Sequence, residues 1–386
     1  MKKIALLSFI KSYNYGASLQ AYALWHIIIN RMGSSVDCKY INYRRDYKRD
    51  LLLWFTRKVS RKIRLLDDTP SYTIKEFIKE TISLKKNNDY YSNELKMKFE
   101  SFWNLTPYTK QVTKKELRKL CDEYDIFMVG SDQVWNPGKV NLDTSFLLDF
   151  VRADKKKFSY ASSFGMKKIP NKYENIYKKY LNRFDAISVR EKAGLELLSG
   201  ILEEEGMAEY QCDPTMLLDK ETWNSVTNDT EIGLKDYVLI YDLTNKDSIC
   251  KQVASLIAKQ KGLDTVVVSQ KYGYGPKDWV QLFLNAKFIV TNSFHGTAFS
   301  INFSKDFISL VPDDDFFENS VDRISGLLAE FNLEDRIIRE KRLVEMRADD
   351  MKSVISNVNP IDYSIVQCKL AKMRENGINY LKECLK

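Results

Sequence analysis

His295 is the residue best suited to acid–base chemistry, because it is one of only two histidines and follows a short apolar run. The run Phe288–Val290 is typical of a buried β-strand, and the small residues from Gly296 onward indicate the start of a helix. An imidazole at a helix N-terminus can donate or accept a proton, and the helix dipole favours its neutral form. The alternative is that His295 only caps the helix.

Two groups of neighbouring residues could hold an anion through side-chain or backbone donors. The first surrounds His295 and consists of Asn292, Ser293, Gly296 and Thr297. The second is the turn with Asn14 and Gly16, which follows the first predicted strand. This turn lacks the GxGxxG spacing, so we predict no dinucleotide site there.

A third candidate is Arg190, which follows a predicted strand and precedes Glu191. Its planar guanidinium suits a carboxylate or phosphate and keeps its charge at every physiological pH. The alternative is a purely structural ion pair with Glu191.

The loop Ser131–Trp135 also follows a predicted strand, and it offers groups that could face a sugar. Asp132 could orient a sugar hydroxyl or act as a base, or it could cap its own turn. Trp135 could stack on a sugar ring or pack on its own loop. Ser131 and Gln133 complete this candidate acceptor site.

The elements that would position these residues alternate between strands and helices. One βα series runs through residues 1–225, and a polar connection at Thr222–Lys235 precedes a second series at 236–350. We predict an α/β protein with two Rossmann-like domains facing a cleft, where the strand ends bring the candidates together. A helix within 360–386, over Tyr363–Leu385, is predicted to pack back on the first domain.

A basic, helical insertion is predicted at about 44–120. Its segment Arg44–Arg64 holds nine Lys and Arg side chains around the apolar stretch Leu51–Phe55, which is typical of an interfacial membrane helix. The alternative is a solvated helix whose leucines pack on the domain. Nucleic-acid binding is disfavoured, because the basic residues are not spread over a scaffold with interleaved aromatic residues.

Composition narrows the class of protein. The chain has 386 residues, a formal net charge of +8 and six scattered cysteines without a CxxC pair. This pattern disfavours a zinc or disulfide framework, and we predict a cytoplasmic protein without a metal site. No stretch is long enough to span a membrane as a helix. The second histidine, His26, falls on an apolar helix face and is predicted to pack in the core.

Five motifs in this order resemble the polysaccharide pyruvyltransferase family, over Ile4 to about Phe331. They are Asn14–Ala17, Gly130–Trp135, Ser188–Glu191, Asp213–Thr215 and Asn292–Gly296. Members are similar to GT-B glycosyltransferases in fold. They transfer the enolpyruvyl carbons of phosphoenolpyruvate onto a sugar, typically as a pyruvate ketal on two hydroxyls.

The resemblance implies a catalytic role for His295 and donor binding by Arg190, with Asn14, Gly16 and the corner around His295 holding the rest of the donor. Phosphoenolpyruvate would be a co-substrate, and no cofactor is implied. The acceptor would be a sugar of a surface polysaccharide or of its lipid-linked precursor. The basic segment Arg44–Arg64 would then contact the anionic inner face of the membrane.

Two positions depart from the family pattern. Ser293 stands where members often have an arginine, and Ala17 stands where they often have an acid. Arg323 or Lys271 could supply the missing positive charge. Two other functions stay open: a GT-B glycosyltransferase with a nucleotide-sugar donor, and a catalytically silent sugar-binding protein.

Overall fold

The computed structural model describes residues 1–45, 91–244, 249–311, 318–344 and 360–386, together with 346, 350, 351, 353, 355 and 358. The strands of its amino-terminal half are β1 (Lys2–Leu7), β2 (Val36–Tyr40), β3 (Ile126–Val129), β4 (Lys156–Ser159), β5 (Ile187–Val189) and β6 (Ala208–Tyr210). Those of the carboxyl-terminal half are β7 (Tyr237–Tyr241), β8 (Asp264–Val267), β9 (Phe288–Thr291), β10 (Asp306–Val311) and β11 (Ile337–Arg339).

The helices separate consecutive strands. In the amino-terminal half they are α1 (Tyr15–Met32), α2 (Asn93–Trp103), α3 (Pro137–Val140), α4 (Asn171–Leu181), α5 (Lys192–Ser199), α6 (Pro214–Leu217) and α7 (Lys220–Val226). In the carboxyl-terminal half they are α8 (Ile249–Lys261), α9 (Pro276–Asn285), α10 (Phe294–Asn302), α11 (Glu318–Phe331), α12 (Glu340–Val344) and α13 (Tyr363–Leu385).

Each half contains a parallel sheet, which confirms the α/β prediction. The first sheet has the order β2-β1-β3-β4, and the parallel pair β5-β6 is joined to it by isolated bridges such as Ser162–Val189. The second sheet has the order β11-β10-β9-β7-β8. In each sheet the order reverses beside its first strand in sequence, between β1 and β3 and between β7 and β9. Such reversal points open a crevice at the carboxyl ends of the strands, where ligands bind.

Helix α1 lies between the two halves. It begins at Tyr15, because the Asn14 side chain caps it by accepting a hydrogen bond from the Ala17 amide (3.0 Å). The Tyr15 hydroxyl donates to the Tyr274 carbonyl of the carboxyl-terminal half (2.6 Å), and its ring stacks on Trp279. One apolar cluster, which includes Leu6 and Phe299, therefore extends through both halves.

The segment predicted as a polar connection between the two series begins with a helix. Residues 220–226 form α7. Asp219 caps this helix by accepting a hydrogen bond from the Thr222 amide (2.8 Å), and the fully buried Trp223 anchors it through an indole hydrogen bond to the Thr215 carbonyl (3.0 Å). The burial of Trp223 stabilises this helix, although most residues around it are polar. The domain limits 1–225 and 236–350 stay a prediction.

Helix α13 packs back on the amino-terminal half, as predicted. Its first turns lie on the carboxyl-terminal half, where Gln367 donates to the Ser304 hydroxyl (2.9 Å). Its last turns lie on the first sheet, where the Tyr380 hydroxyl donates to the Ser159 carbonyl (2.8 Å). The helix therefore connects both halves along its length.

Most of the predicted basic insertion lies outside the described residues, since 46–90 are not among them. Within 91–120, helix α2 confirms the helical prediction, and Lys98 on it forms an ion pair with Asp278 (3.0 Å). At the other end, Arg45 donates to the Val140 carbonyl (2.6 Å). The membrane role of Arg44–Arg64 stays a prediction. Among the described helices, no span combines the length and apolarity that crossing a membrane requires.

Gly377 of α13 tests how closely this helix must approach the amino-terminal half. A Cβ at this position would lie 2.6 Å from the Tyr160 hydroxyl and 2.7 Å from a Leu217 methyl group. We expect Gly377→Val to lower the free energy of unfolding by about 1–3 kcal/mol, because the added atoms force α13 away from the surface on which it packs. Urea unfolding measures the change. The control is Gly233→Val, whose Cβ meets nothing within 4 Å; equal losses in the two variants would contradict the close packing.

Candidate active site

His295 lies at the junction of the two halves. It is the second residue of α10, directly after β9, and its side chain is 14% exposed. The helix α1 begins opposite it, so closely that a Cβ on Gly16 would lie 2.2 Å from the imidazole Nδ1. The amino ends of α1 and α10 therefore meet at this imidazole, and only glycine fits at position 16. The structure thus brings together two of the predicted groups.

The carboxylate of Asp213 joins His295 to Arg190. Asp213 Oδ2 lies 2.8 Å from Arg190 Nη1 and 3.8 Å from His295 Nε2. Its other oxygen accepts hydrogen bonds from the amide (3.0 Å) and hydroxyl (2.7 Å) of Thr215. The predicted pair His295 and Arg190 therefore converges on one oxygen atom of a fully buried carboxylate.

Arg190 is held by several groups but keeps one donor. Its Nε donates to Glu191 (3.2 Å), and its guanidinium carbon lies 4.6 Å from the centre of the Phe294 ring. The structural ion pair with Glu191 is therefore present, beside the pair with Asp213. Yet Arg190 Nη2, 3.8 Å from Asp132, has no hydrogen-bond partner in the described part of the chain. That donor is available for a ligand.

The charges around the site fix the protonation of its groups. Burial lowers the pKa of His295 and nearby Arg190 lowers it further, while Asp213 opposes both. Burial alone would raise the pKa of Asp213, but the neighbouring His295 and Arg190 bring it below its ordinary value. Burial opposes the charge of Arg190, but the carboxylates of Glu191 and Asp213 raise its pKa above the ordinary value. At neutral pH the site therefore holds a neutral imidazole beside an ionised carboxylate and a guanidinium.

The imidazole Nε2 also lacks a hydrogen-bond partner among the described residues, although it is shielded from solvent. Buried nitrogen atoms without partners are rare in folded proteins, and they mark positions where a ligand or water binds. His295 Nε2 and Arg190 Nη2 thus leave two such positions next to the same carboxylate.

A pocket opens beside Arg190, Asp213 and Phe294, between the start of α5 and helix α11. Its enclosed volume is about 110 Å³. Arg323 of α11 also lines it, and burial together with the charge of Arg190 lowers the pKa of this second guanidinium. Lys271 is exposed and lies outside this lining. Of the two predicted substitutes for the missing arginine, Arg323 is the one beside Arg190.

Several predicted ligand-binding side chains build the corner instead of facing a ligand. The Asn292 amide nitrogen donates to Asp242 (2.7 Å) and its oxygen accepts from the Leu243 amide (2.8 Å), so both of its polar atoms are engaged. The amide and hydroxyl of Thr297 both donate to the Ser293 carbonyl within α10. Both side chains therefore hold the corner together through hydrogen bonds inside the fold, and their direct contact with a ligand stays a prediction.

The remaining residues of the predicted donor site shape the backbone around His295. The Asn14 side chain caps α1, and the Ser293 side chain is buried. A Cβ on Gly296 would lie 2.3 Å from the Thr291 hydroxyl, so glycine allows the first turn of α10 to pack on β9. The first amides of a helix lack intrahelical acceptors, and at α10 they lie beside the imidazole.

The predicted acceptor loop is largely structural. Trp135 is 1% exposed and its indole donates to the Phe146 carbonyl (3.0 Å), so it packs in the core and cannot stack on a sugar. Ser131 is fully buried, and its hydroxyl donates to the Ala161 carbonyl (2.9 Å). Gln133 accepts from the Asn136 side chain (2.9 Å). Of the four residues, Asp132 alone reaches the catalytic cluster; it also accepts a hydrogen bond from the Gln133 amide (2.8 Å).

Asp213 is the residue that the sequence analysis did not place in the site. It belongs to the motif Asp213–Thr215 at the end of β6, and this position at a strand end was the available signal. His26 in contrast packs as predicted, since its Nδ1 lies 3.0 Å from the Tyr22 hydroxyl and the two rings are in contact. In the described part of the chain, no group of three His, Cys, Asp or Glu side chains could hold a metal ion.

Comparison with known families agrees with the motifs. The family model of polysaccharide pyruvyl transferases matches residues 14–314, which include the whole cluster around Asp213. The chain belongs to this family. It is therefore a transferase that acts in the making of a polysaccharide. No curated protein sequence matches the chain.

Solved structures similar to this polysaccharide pyruvyl transferase have low sequence identity. A UDP-GlcNAc 2-epimerase from Neisseria meningitidis bound to UDP-GlcNAc is 11% identical, with a TM-score of 0.43 and coverage of 100% of this chain and 99% of that one. The wall teichoic acid polymerase TagF is 12% identical, with a TM-score of 0.42 and coverage of 100% and 90%. The ADP-heptose LPS heptosyltransferase II of E. coli is 10% identical, with a TM-score of 0.36 and coverage of 95% and 99%. These similarities do not bear on the activity of the chain.

Gly16 offers a test of the site's geometry. We expect Gly16→Ala to lower pyruvyl transfer by roughly 100-fold, because its methyl group must displace the imidazole and a shift of about 1 Å has effects of that size. Steady-state kinetics measures the loss, and thermal unfolding shows whether the fold persists. The matched control is Gly233→Ala, which has open space around its Cβ. Full activity of Gly16→Ala would contradict the close approach of His295 to Gly16.

Proposed function

We propose that the chain transfers the enolpyruvyl group of phosphoenolpyruvate onto two hydroxyls of a sugar, forming a pyruvate ketal. The observation that supports this best is the convergence of Arg190 and His295 on Asp213 Oδ2, at 2.8 Å and 3.8 Å. A single carboxylate thus separates an anion-binding group from a proton-transfer group, and Arg190 and Asp213 line a small pocket.

The donor carries a phosphate and a carboxylate, so it needs more than one cation. Arg190 offers its remaining donor Nη2, and Arg323 lines the same pocket. Two guanidinium groups can bind two anionic groups by charge-assisted hydrogen bonds. Arg323 thereby supplies the positive charge that family members often have at the position of Ser293. The first amides of α10 add their partial positive charges.

The reaction needs two proton movements besides the loss of phosphate. One acceptor hydroxyl attacks C2 of phosphoenolpyruvate while the methylene carbon gains a proton and becomes a methyl group. The C2–O bond to phosphate then breaks, and the second hydroxyl closes the ketal as it loses its proton. The two hydroxyl protons balance the methyl proton and the proton of the released hydrogen phosphate.

The neutral imidazole of His295 suits the role of general base for an attacking hydroxyl. The Asp213 carboxylate, 3.8 Å from Nε2, stabilises the positive charge of the imidazolium that forms. Arg190 and Arg323 hold the negative charge on the departing phosphate. We also propose that the acceptor is a sugar of a surface polysaccharide or its lipid-linked precursor.

Ligand-induced stabilisation tests the donor. We expect phosphoenolpyruvate at a hundredfold excess over its Kd to add about 2.7 kcal/mol to the free energy of unfolding, and UDP or CDP to add nothing. Arg323→Ala should weaken phosphoenolpyruvate binding by tenfold or more, since a hydrogen bond to a charged group contributes about 1.5–3 kcal/mol. Lys271→Ala is the matched control and should bind normally. Stabilisation by a nucleoside diphosphate alone would favour a nucleotide-sugar transferase, and stabilisation by neither would favour a sugar-binding protein.

The pH dependence tests His295. A base must be neutral, so kcat/KM should fall as the pH drops through the pKa of His295, which lies below its ordinary 6.5. We expect His295→Gln to remove this limb and to lower kcat by about 100- to 10,000-fold, while phosphoenolpyruvate still stabilises the variant. The measurement is the pH profile of phosphate release in the presence of acceptor. An unchanged limb in His295→Gln would assign the base to another residue.

A further inference from the structure

The far end of helix α10, opposite to His295, is tied to the segment that carries Asp213. Asn302 at this end is 2% exposed. Its amide nitrogen donates to the carbonyl of Thr215 within α6 (3.1 Å) and to that of Leu218 directly after α6 (2.9 Å). Helix α10 begins at the imidazole, and α6 begins directly after Asp213. Asn302 therefore fixes the helix that carries one catalytic group to the helix that follows the other.

Arg374 of α13 holds the same junction from the outside. Its Nη2 donates to the side-chain oxygen of Asn302 (2.6 Å), and its Nε donates to the Met216 carbonyl within α6 (2.9 Å). One rigid guanidinium thus bonds both α10 and α6. Since a guanidinium is planar and its donors have a fixed angle, it sets the separation of its two partners.

The chain of hydrogen bonds continues into the site. Thr215, whose carbonyl accepts from Asn302, holds Asp213 Oδ1 with its amide and hydroxyl. Asp213 Oδ2 in turn meets Arg190 and His295. Each link from Arg374 to Asp213 is therefore one hydrogen bond, and the last step is the 3.8 Å approach of the Asp213 carboxylate to His295 Nε2.

We infer that Arg374 is a positioning residue, and that helix α13 uses it to hold Asp213 against His295. Arg374 lies beyond residues 14–314, the part of the chain that the family model matches. Its effect reaches the reaction through its bonds to Asn302 and to α6, and from there through Thr215 and Asp213. The geometric part of this inference is independent of the proposed reaction, and its kinetic consequence rests on that reaction.

The His295 pKa reports the position of Asp213. The charged groups that face the imidazole are Asp213, Arg190, Asp132 and Arg323. Asp213 raises the His295 pKa against the lowering by burial, by Arg190 and by Arg323. If Asp213 moves away, its raising effect is lost. The His295 pKa then falls further below 6.5, which gives the sign of the expected change.

NMR titration of the imidazole signals tests the inference without any substrate. The chain has only two histidines, so His26 serves as an internal reference, and its signal is assigned from a His26→Gln variant. We expect Arg374→Ala to move the His295 midpoint to lower pH and to leave the His26 midpoint unchanged. Asp213→Asn gives the full shift that loss of this carboxylate produces, and Arg374→Ala should give part of that shift. If the protein unfolds in acid before His295 is protonated, the imidazole ¹⁵N chemical shifts of His295 are measured at pH 7 instead. They report the ratio of its two neutral tautomers, which changes when Asp213 is displaced.

Two control variants separate positioning from general stability. Gln367→Ala removes another hydrogen bond of α13, the one to Ser304, without touching the chain to Asp213, and it should leave the His295 signals unchanged. Arg374→Lys keeps the positive charge and one donor nitrogen. Its His295 midpoint should therefore lie between those of Arg374→Ala and the wild type. Equal His295 midpoints in wild type and Arg374→Ala, with both folded, would overturn the inference, as would an equal shift in Gln367→Ala.

Kinetics adds an arm that depends on the proposed reaction. Arg374→Ala should lower kcat by roughly 10- to 100-fold, the effect of a misplaced group, and change KM for phosphoenolpyruvate much less. In an Asp213→Asn background the same substitution should have little further effect, since both act on one link. Additive losses would overturn the link through Asp213. Absence of any pyruvyl transfer in the wild type would instead contradict the proposed reaction and leave the NMR result to decide the positioning role.

Discussion

The site depends on a carboxylate that is removed from water. Burying an ionised carboxyl group is strongly unfavourable unless cations and hydrogen-bond donors surround it. Asp213 is 1% exposed, and Arg190 supplies the cation while Thr215 supplies the hydrogen-bond donors. The neutral His295 lies 3.8 Å from the same carboxylate, so three segments meet there. Removing Arg190 or Thr215 leaves a buried charge without its partner, so the geometry of the site and the stability of the junction are coupled.

The two sheets explain why such a carboxylate can exist here. The switch points of both sheets face the same junction, and helix α1, buried along most of its length, fills the space between them. Gly16 on α1 lets the imidazole approach, and Asn302 and Arg374 fix the helices behind it. The apolar cluster that runs through both halves makes this junction part of the core. A small, preorganised site is the result, and among the described residues Arg190 Nη2 and His295 Nε2 have no hydrogen-bond partner.

Much of this arrangement could be predicted from the sequence, and the failures have one physical cause. The alternation of apolar runs and helical patterns predicted both sheets, and placement at strand ends predicted that His295 and Arg190 converge. Residue type alone could not show which polar groups the fold already satisfies. Trp135, Ser131, Asn292 and Thr297 have the right chemistry for a ligand, but hydrogen bonds engage them inside the protein. Asp213 was missed for the same reason, since its value comes from partners distant in sequence.

A structure of the protein soaked with phosphoenolpyruvate tests the central claim most directly. The account predicts density for the donor in the pocket beside Arg190 and Arg323, with one anionic group on Arg190 Nη2 and the enol carbons next to His295 Nε2. Density for phosphoenolpyruvate at another place, or a pocket that takes up only a nucleotide, would contradict it.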